Sequence, residues 1–429
     1  MLSTLSVREY EPIIIGNRFS KQEKIITRQQ ANLIEKFEIK QGKSIFKWGS
    51  NKVTPQQWVG VFGTSDFQIE VLPKLSLDNI ENIRRNLIYM LTVAKEVPLR
   101  VQDIGRMDTT KAPILECFIR IFIDKLSNAI KTGILHEYRV IEENAFFLKG
   151  KLIVPHQIRK NLLNRNRFYV SYDEFTSNNI LNRILKATIV KLIKYSSSSQ
   201  NIKILNSLST YFENINELEF SVTDLNKTQL PRTASKCYKE IFEMCKVFWK
   251  DEIPNLQGGS SQLFGILFDM NVLYEKFVQN LLIGNRELLF EGREFKTNQL
   301  QNYRYLLRDQ NEHGAFKLKP DICIMNKGSG EVDSIIDTKW KILNSNKKNL
   351  GISQNDVYQM YAYAREYKCG KVTLLYPQNE EIPFTMPIYS NKNYIHNSIE
   401  VRVKTLNLNY KLPHEIDLIL EQLKQVVEG

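Results

Sequence analysis

The stretch KPDICIMNKGSGEVDSIIDTKWK, residues 319–341, sets two carboxylates and a lysine at the ends of two apolar runs joined by a glycine turn. ICIM and SIIDT read as neighbouring strands, with Asp321 just ahead of the first and Asp337 and Lys339 closing the second. Two positions apart in a strand, Asp337 and Lys339 share a face, while the Thr338 side chain turns away and leaves its carbonyl available as a ligand. Open α/β sheets place their sites at this end of a strand. Cutting a phosphodiester needs an attacking water, neutralisation of the phosphorane charge and help for the leaving oxygen. Carboxylate-held Mg2+ with an ammonium near the water supplies most of this, so Asp321 and Asp337 are candidate metal ligands and Lys339 a candidate catalytic group. Taken alone the pattern is weak, because Pro-Asp followed by acid-x-Lys arises by chance in a lysine-rich chain. The competing reading is ordinary charged residues at strand ends.

Two neighbouring segments strengthen the catalytic reading. Downstream, DVYQMYAYA places Gln359 and Tyr363 at i and i+4, one face of a helix that can approach the strand ends and a bound DNA together. Upstream, LFDMNVLYEKFVQNLL carries Glu275 in an amphipathic helix whose apolar stripe runs through Leu267, Met270, Leu273, Tyr274, Phe277 and Leu281. Singly, Glu275 reads equally well as a solvated residue, and Gln359 and Tyr363 as caps on a packed face.

Outward from this constellation the chain reads as three regions, within a multidomain α/β protein. Residues 1–100 form a small β-rich domain, with hairpins around Gly49, Gly63 and Asp66. Residues 101–255 form a helical middle region, with apolar residues every three or four positions in segments such as PILECFIRIFIDKLSNAIKTGIL. DEIPNLQGGSSQ, residues 251–262, interrupts that period and is the linker candidate. Residues 256–429 form the domain that carries the constellation. It reads as helix 263–282, strands 288–295, 316–324 and 332–340, helix 355–367 and strand 371–376.

Composition bounds the function. The 429 residues exceed what one core serves, and 59 Lys+Arg against 47 Asp+Glu give a formal charge of +12, which favours a polyanionic partner. Arg159, Lys160, Arg165 and Arg167 cluster in one stretch that either tracks a phosphate backbone or forms a solvated face. The five cysteines and five histidines are scattered, without zinc spacing or a disulfide framework. The amino-terminal residues lack the basic region and apolar core of a secretory signal, and no run approaches a membrane span, so a cytoplasmic protein is expected. No GxxxxGK[ST] loop occurs, so the chain is not expected to hydrolyse nucleotide by itself.

The order Glu275, Pro320-Asp321, Asp337-Thr338-Lys339, Gln359-x-x-x-Tyr363 resembles the PD-(D/E)xK nuclease superfamily in its RecB-like branch with a QxxxY helix. Nearly the full length, including QWVGVFGTSDFQIEVLPKL, FLKGKLIVPHQIRKNL, YDEFTSNNILNRILKATI and LKPDICI, is similar to the McrC family, nuclease subunits of McrBC modification-dependent (5-methylcytosine) restriction systems. The resemblance implies a restriction-endonuclease-like α/β core in the last domain, acting on double-stranded DNA with Mg2+. Asp321, Asp337 and the Thr338 carbonyl would hold the metal, Lys339 would orient the water, Glu275 would be an outer ligand, and Gln359 and Tyr363 would give support on the DNA side. It implies a separate AAA+ GTPase partner, a McrB-like hexamer that binds GTP, selects the methylated site and is stimulated by this chain. That partner would dock on the β-rich domain, where Trp48, Trp58 and Phe62 are candidate anchors unless they form its core. Two other readings stand beside it: a self-sufficient RecB-like repair nuclease, and a non-catalytic regulator of an AAA+ ring.

Overall fold

A computed structural model of the chain describes residues 3–77, 79–105, 112–218, 222–230, 234–250, 263–290, 293–297, 304–326, 329–378, 389–390 and 399–428. The linker candidate at 251–262 lies outside the described residues. Two compact units emerge. One unit comprises residues 4–63, 67–114 and 266–429; the other comprises 1–3, 64–66 and 115–265.

In the unit that carries the constellation, a six-stranded sheet runs in the order 293–297, 322–326, 332–338, 371–377, 400–406, 389–390. Strand 322–326 is antiparallel to 332–338, whereas 332–338, 371–377 and 400–406 are mutually parallel. A parallel pair needs a crossover, and helix Gln354–Tyr367 supplies it between strands 332–338 and 371–377. Its buried Met360, Tyr363 and Ala364 pack with Ile335, Val372, Leu374 and Val403 into one core. Gly-free apolar runs such as KVTLLYP suit a strand covered on both faces.

Three of the expected elements are corrected. Residues 264–269 form a buried strand, and the helix begins at Met270, where the Asp269 side chain caps it by accepting from the Asn271 amide at 2.8 Å. The run FGILF is too short and too uniformly apolar to show a period, so it could not be told from a helix by pattern. Arg286–Leu289 is a helical turn, and the following strand occupies Arg293–Thr297. The expected strand over 316–324 is two strands, Gly314–Leu318 and Ile322–Asn326, because Pro320 cannot donate to a ladder.

The same unit includes a four-stranded sheet in the order 3–8, 67–72, 58–63, 264–269, and a smaller one of strands 25–27, 13–16, 52–55 and 46–48. Gly60 explains the approach of strand 264–269: its φ is +129°, and a Cβ there would lie 2.0 Å from the Ile266 carbonyl oxygen. Helix Ile80–Val93 is tied to the carboxy-terminal segment by buried Asn86, whose side chain donates to the Leu408 and Tyr410 carbonyls and accepts from the Leu412 amide. Glu70, fully buried, accepts from Arg84 at 2.9 and 2.7 Å, from Ser6 Oγ at 2.6 Å and from the Ile114 amide at 2.7 Å. Phe62 belongs to the interior, stacked on Phe37 at 5.4 Å and tilted against Phe46, so it is not a surface anchor. Trp58 is half-buried; Trp48 is 37% exposed.

The other unit is not purely helical. Helices 180–195, 199–209 and 236–249 accompany the antiparallel strands Glu137–Ala145 and Phe168–Thr176, paired from Ala145–Phe168 to Glu137–Thr176. The alternating sequence EYRVIEENA escaped notice because most of its side chains are exposed, leaving no apolar face to read.

Candidate active site

Strand Val332–Thr338 brings Asp337 to its end with the carboxylate 1% exposed, in ion pair with Lys339 Nζ at 2.6 Å. Lys339 continues past the strand, its amide donating to the Leu375 carbonyl at 2.9 Å, which fixes where the side chain starts. Its ammonium also donates to Gln359 Oε1 at 3.1 Å. From there hydrogen bonds run on: Gln359 Nε2 donates to Tyr363 Oη at 2.7 Å, and Tyr363 Oη donates to the Lys319 carbonyl at 3.0 Å. The i, i+4 spacing thus locks the amide with its oxygen toward the lysine, since the flipped amide would set donor against donor. Burial works against the charged ammonium, yet Asp337 beside it raises the Lys339 pKa above its usual value. The group is held cationic, suited to donating and to attracting charge rather than to accepting a proton.

Asp321 comes from the turn before strand 322–326 and reaches across to the end of its antiparallel neighbour. Its Oδ2 accepts from the Thr338 amide and from Thr338 Oγ1, both at 2.7 Å. This corrects the expectation that the Thr338 side chain turns away uninvolved: the hydroxyl is buried, and Asp321, lying outside the pleat, gives it a partner. Burial pushes the Asp321 carboxyl up, to about 6, with the Glu275 charge adding to it and the two Thr338 donors opposing. Burial likewise pushes Asp337 up, to about 7, with Asp321 adding and Lys339 opposing. The two carboxylates therefore feel each other, which places them in one electrostatic site.

Glu275 lies on helix Met270–Gly284, where Gln279 Nε2 donates to its Oε1 at 3.0 Å and to the Asp321 carbonyl at 3.2 Å. Among the described residues no group of three or more His, Cys, Asp and Glu side chains is assembled for a metal, so Glu275 does not complete a three-carboxylate cluster. The donor set nonetheless fits Mg2+, which is commonly bound through one or two carboxylates plus waters and substrate phosphate. Two buried carboxyls, Asp321 raised by burial and Glu275 and Asp337 by burial and Asp321, leave charge that a dication would neutralise.

Asp356, Trp340, Glu9, Tyr10 and Lys74 also lie near the site, and the sequence reading gave none of them a role there. Asp356 acts electrostatically on Asp337 and Lys339 and accepts from Tyr376 Oη at 3.5 Å. Trp340 donates through Nε1 to both oxygens of Glu9 at 3.1 Å, and Glu9 also accepts from the Lys74 amide at 3.1 Å. Burial pushes the Glu9 carboxyl up, to about 8. Tyr10 and Lys74 line the same cleft as Lys339. The i, i+3 spacing of Asp356 from Gln359 was a signal that could have found it; Glu9, Tyr10 and Lys74 lie more than 260 positions upstream of Lys339, with no spacing to reveal them.

Comparisons with known proteins agree in one direction. A curated relative, the Type IV methyl-directed restriction enzyme EcoKMcrBC of Escherichia coli K12, is 23% identical over 363 residues, spanning 79% of this chain and 98% of the relative. A chain in the refined half-complex from the tetradecameric assembly of Thermococcus gammatolerans McrB AAA+ hexamers with bound McrC superposes with a TM-score of 0.75 at 18% identity, covering 99% of both chains. A second match, in the cryo-EM structure of the Thermococcus gammatolerans McrBC complex, has a TM-score of 0.54 at 21% identity over 66% of this chain and 88% of that one. Among the described residues no helix is long and apolar enough to cross a membrane. The family model of the McrBC 5-methylcytosine restriction system component matches residues 53–377, well over half the length, and the chain belongs to that family.

Proposed function

We propose that this component is a DNA endonuclease of the PD-(D/E)xK type, with a restriction-endonuclease-like core in residues 256–429. The observation that carries the reading is the join at Thr338: one carboxylate immediately before it pairs with a held ammonium, and a second accepts from its amide and hydroxyl. Asp321 and Asp337, with the Thr338 carbonyl, would hold Mg2+. When bound, the ion supplies charge neutralisation at the phosphoryl oxygens and lowers the pKa of its water. The chain's own residues do the rest. Lys339, kept cationic, donates to the attacking water and offsets the negative charge that develops on the phosphorane. Gln359 and Tyr363 hold that lysine at the strand end, and Glu275 tunes Asp321 by charge. Asp321→Asn and Lys339→Ala are each expected to reduce Mg2+-dependent cleavage by about a thousandfold or more in the assembled complex. Cleavage near wild type by either variant would refute the site.

In this reading the partner is a McrB-like AAA+ hexamer that binds GTP, finds the methylated duplex and has its hydrolysis raised by this chain. Docking through residues 1–100 now rests on Trp48 more than on Phe62 or Trp58. A second surface has a specific observation in its favour: Tyr138, Phe146, Phe147, Leu148, Leu163 and Phe175 are all more than half exposed on the strand pair 137–176 and its loops. They fall at the two ends of the pair, Tyr138 against Phe175 at one and Phe146, Phe147 and Leu148 past the other, and exposed apolar side chains of this kind mark interaction sites. GTPase stimulation by Phe147→Ser against Trp48→Ala separates the two surfaces.

A further inference from the structure

The cleft beside Lys339 has a volume of about 690 Å3 and a charge that the metal site does not account for. Lys74, Lys339, Lys341 and Lys347 line it, against Asp356 as the single acidic residue of the lining. Lys339 is neutralised by Asp337. Lys74, Lys341 and Lys347 are exposed, and among the described residues neither Lys341 nor Lys347 forms an ion pair. Like charges gathered without counterions repel one another, and an anion relieves that repulsion.

The lysines are carried on fixed backbone. Lys341 donates its amide to the Lys339 carbonyl at 3.0 Å, so it turns directly off the end of the catalytic strand. The loop holding Lys347 is closed by the Asn344 amide on the Leu350 carbonyl at 3.0 Å and pinned by Leu343, fully buried, and Leu350, both packed on the nuclease core. Lys74 is tied through its amide to Glu9, which in turn holds the Trp340 indole. Tyr10, next along, is 46% exposed with φ +61°, a left-handed conformation that costs a non-glycine residue on the order of 1 kcal/mol. Its phenol is therefore presented at the cleft at some conformational expense.

We propose that this cleft seats the phosphate backbone of a DNA strand next to the scissile position, with Lys74, Lys341 and Lys347 as phosphate contacts and the amino-terminal Tyr10 and Lys74 as parts of the substrate site. The proposal rests on the nuclease reading of Asp321, Asp337 and Lys339. It assigns to residues near 10 and 74 a role in substrate binding that is separate from partner docking. A cleft of 690 Å3 lies in the ordinary range of ligand sites, about 300–1,000 Å3, which admits a short stretch of one strand rather than a whole duplex. With lysines as its phosphate contacts, the cleft holds the strand by position and independently of sequence.

The test uses the full chain and a short fluorescein-labelled duplex, with anisotropy titrations across a salt series in EDTA. Lys74→Ala, Lys341→Ala and Lys347→Ala are surface changes that leave the fold within about 0.5 kcal/mol of wild type. Each is expected to weaken binding several-fold and to lower the slope of log affinity on log salt by about 1, with Lys74→Arg restoring it. Unchanged slopes for all three, with a drop instead for Arg159→Ala and Arg165→Ala, would overturn the cleft and move the backbone contact to the other basic cluster. Cleavage by Asp321→Asn in the assembled complex is measured alongside. Its loss together with unchanged lysine slopes would overturn the cleft alone, whereas cleavage at the wild-type rate would overturn the nuclease reading on which the cleft depends.

Discussion

Replacing Asp337 with Asn is expected to stabilise the metal-free chain, and to do so more as pH rises. The carboxyl titrates near 3.8 when unfolded and about 7 when folded, chiefly because it is buried and next to Asp321. The folded state therefore holds its proton longer. Stability contributed by this group is full below the unfolded pKa and is lost as pH climbs through the folded one. At 1.36 kcal/mol per unit, the buried charge costs on the order of 4 kcal/mol at pH 8 and less than about 2 kcal/mol at pH 5. The attraction of Lys339 is already contained in that pKa, so it is not subtracted again. Asparagine keeps the shape and removes the charge, so its benefit should grow by roughly 2–3 kcal/mol between pH 5 and pH 8. At about 2 °C per kcal/mol for a unit of this size, calorimetry in EDTA should show the Tm advantage widening by about 5 °C over that interval. An equal Tm difference at both pH values, or a destabilisation that deepens with pH, would refute the claim that this site stores uncompensated charge. The same variant should not cleave DNA.

Three further outcomes are expected. Tyr363→Phe removes the donor to the Lys319 carbonyl and the acceptor for Gln359, costing about 1–2 kcal/mol in denaturant unfolding, with kcat falling more than KM because Lys339 loses its brace. Thr338→Val keeps the amide bond to Asp321 but loses the hydroxyl, so the Asp321 carboxyl should titrate higher and the pH profile of cleavage should move up, readable as the acid limb of the rate. Arg84→Ala strands the fully buried Glu70 and should destabilise by about 3–5 kcal/mol in thermal unfolding, a loss that Glu70→Gln in the same chain should partly recover.

The grouping of Asp321, Asp337, Lys339, Gln359 and Tyr363 was legible because these residues fall within 43 positions, in an order that alternating strand and helix periods place on one sheet end. Asp337 and Lys339 needed only the strand period, and Gln359 with Tyr363 only the helical one. Thr338 was misread for the same reason: the pleat rule sends its side chain to the opposite face, and nothing local tells that Asp321 reaches around from a turn to meet it. Strand 264–269 failed for want of a period. Glu9, Tyr10 and Lys74 were out of reach altogether, since contacts between residues 9 and 340 depend on the tertiary fold and leave no trace in spacing.

The division of the chain at 114 and 265 has a consequence for how the protein is made. One unit is assembled from segments on either side of the other, so residues 4–114 wait on the ribosome for partners that lie in 266–429. The intervening stretch 115–265, which supplies most of the other unit, is continuous in sequence. At a synthesis rate of about 5–20 residues per second, the delay before the last of those partners appears is on the order of 15–60 s. Throughout it the Glu9 side chain lacks Trp340, Asn86 lacks the 408–412 backbone, and the carboxylate site does not exist. A chain released before residue 321 would lack Asp321, Asp337 and Lys339 altogether, so the proposed site comes into being only with the last third of the chain.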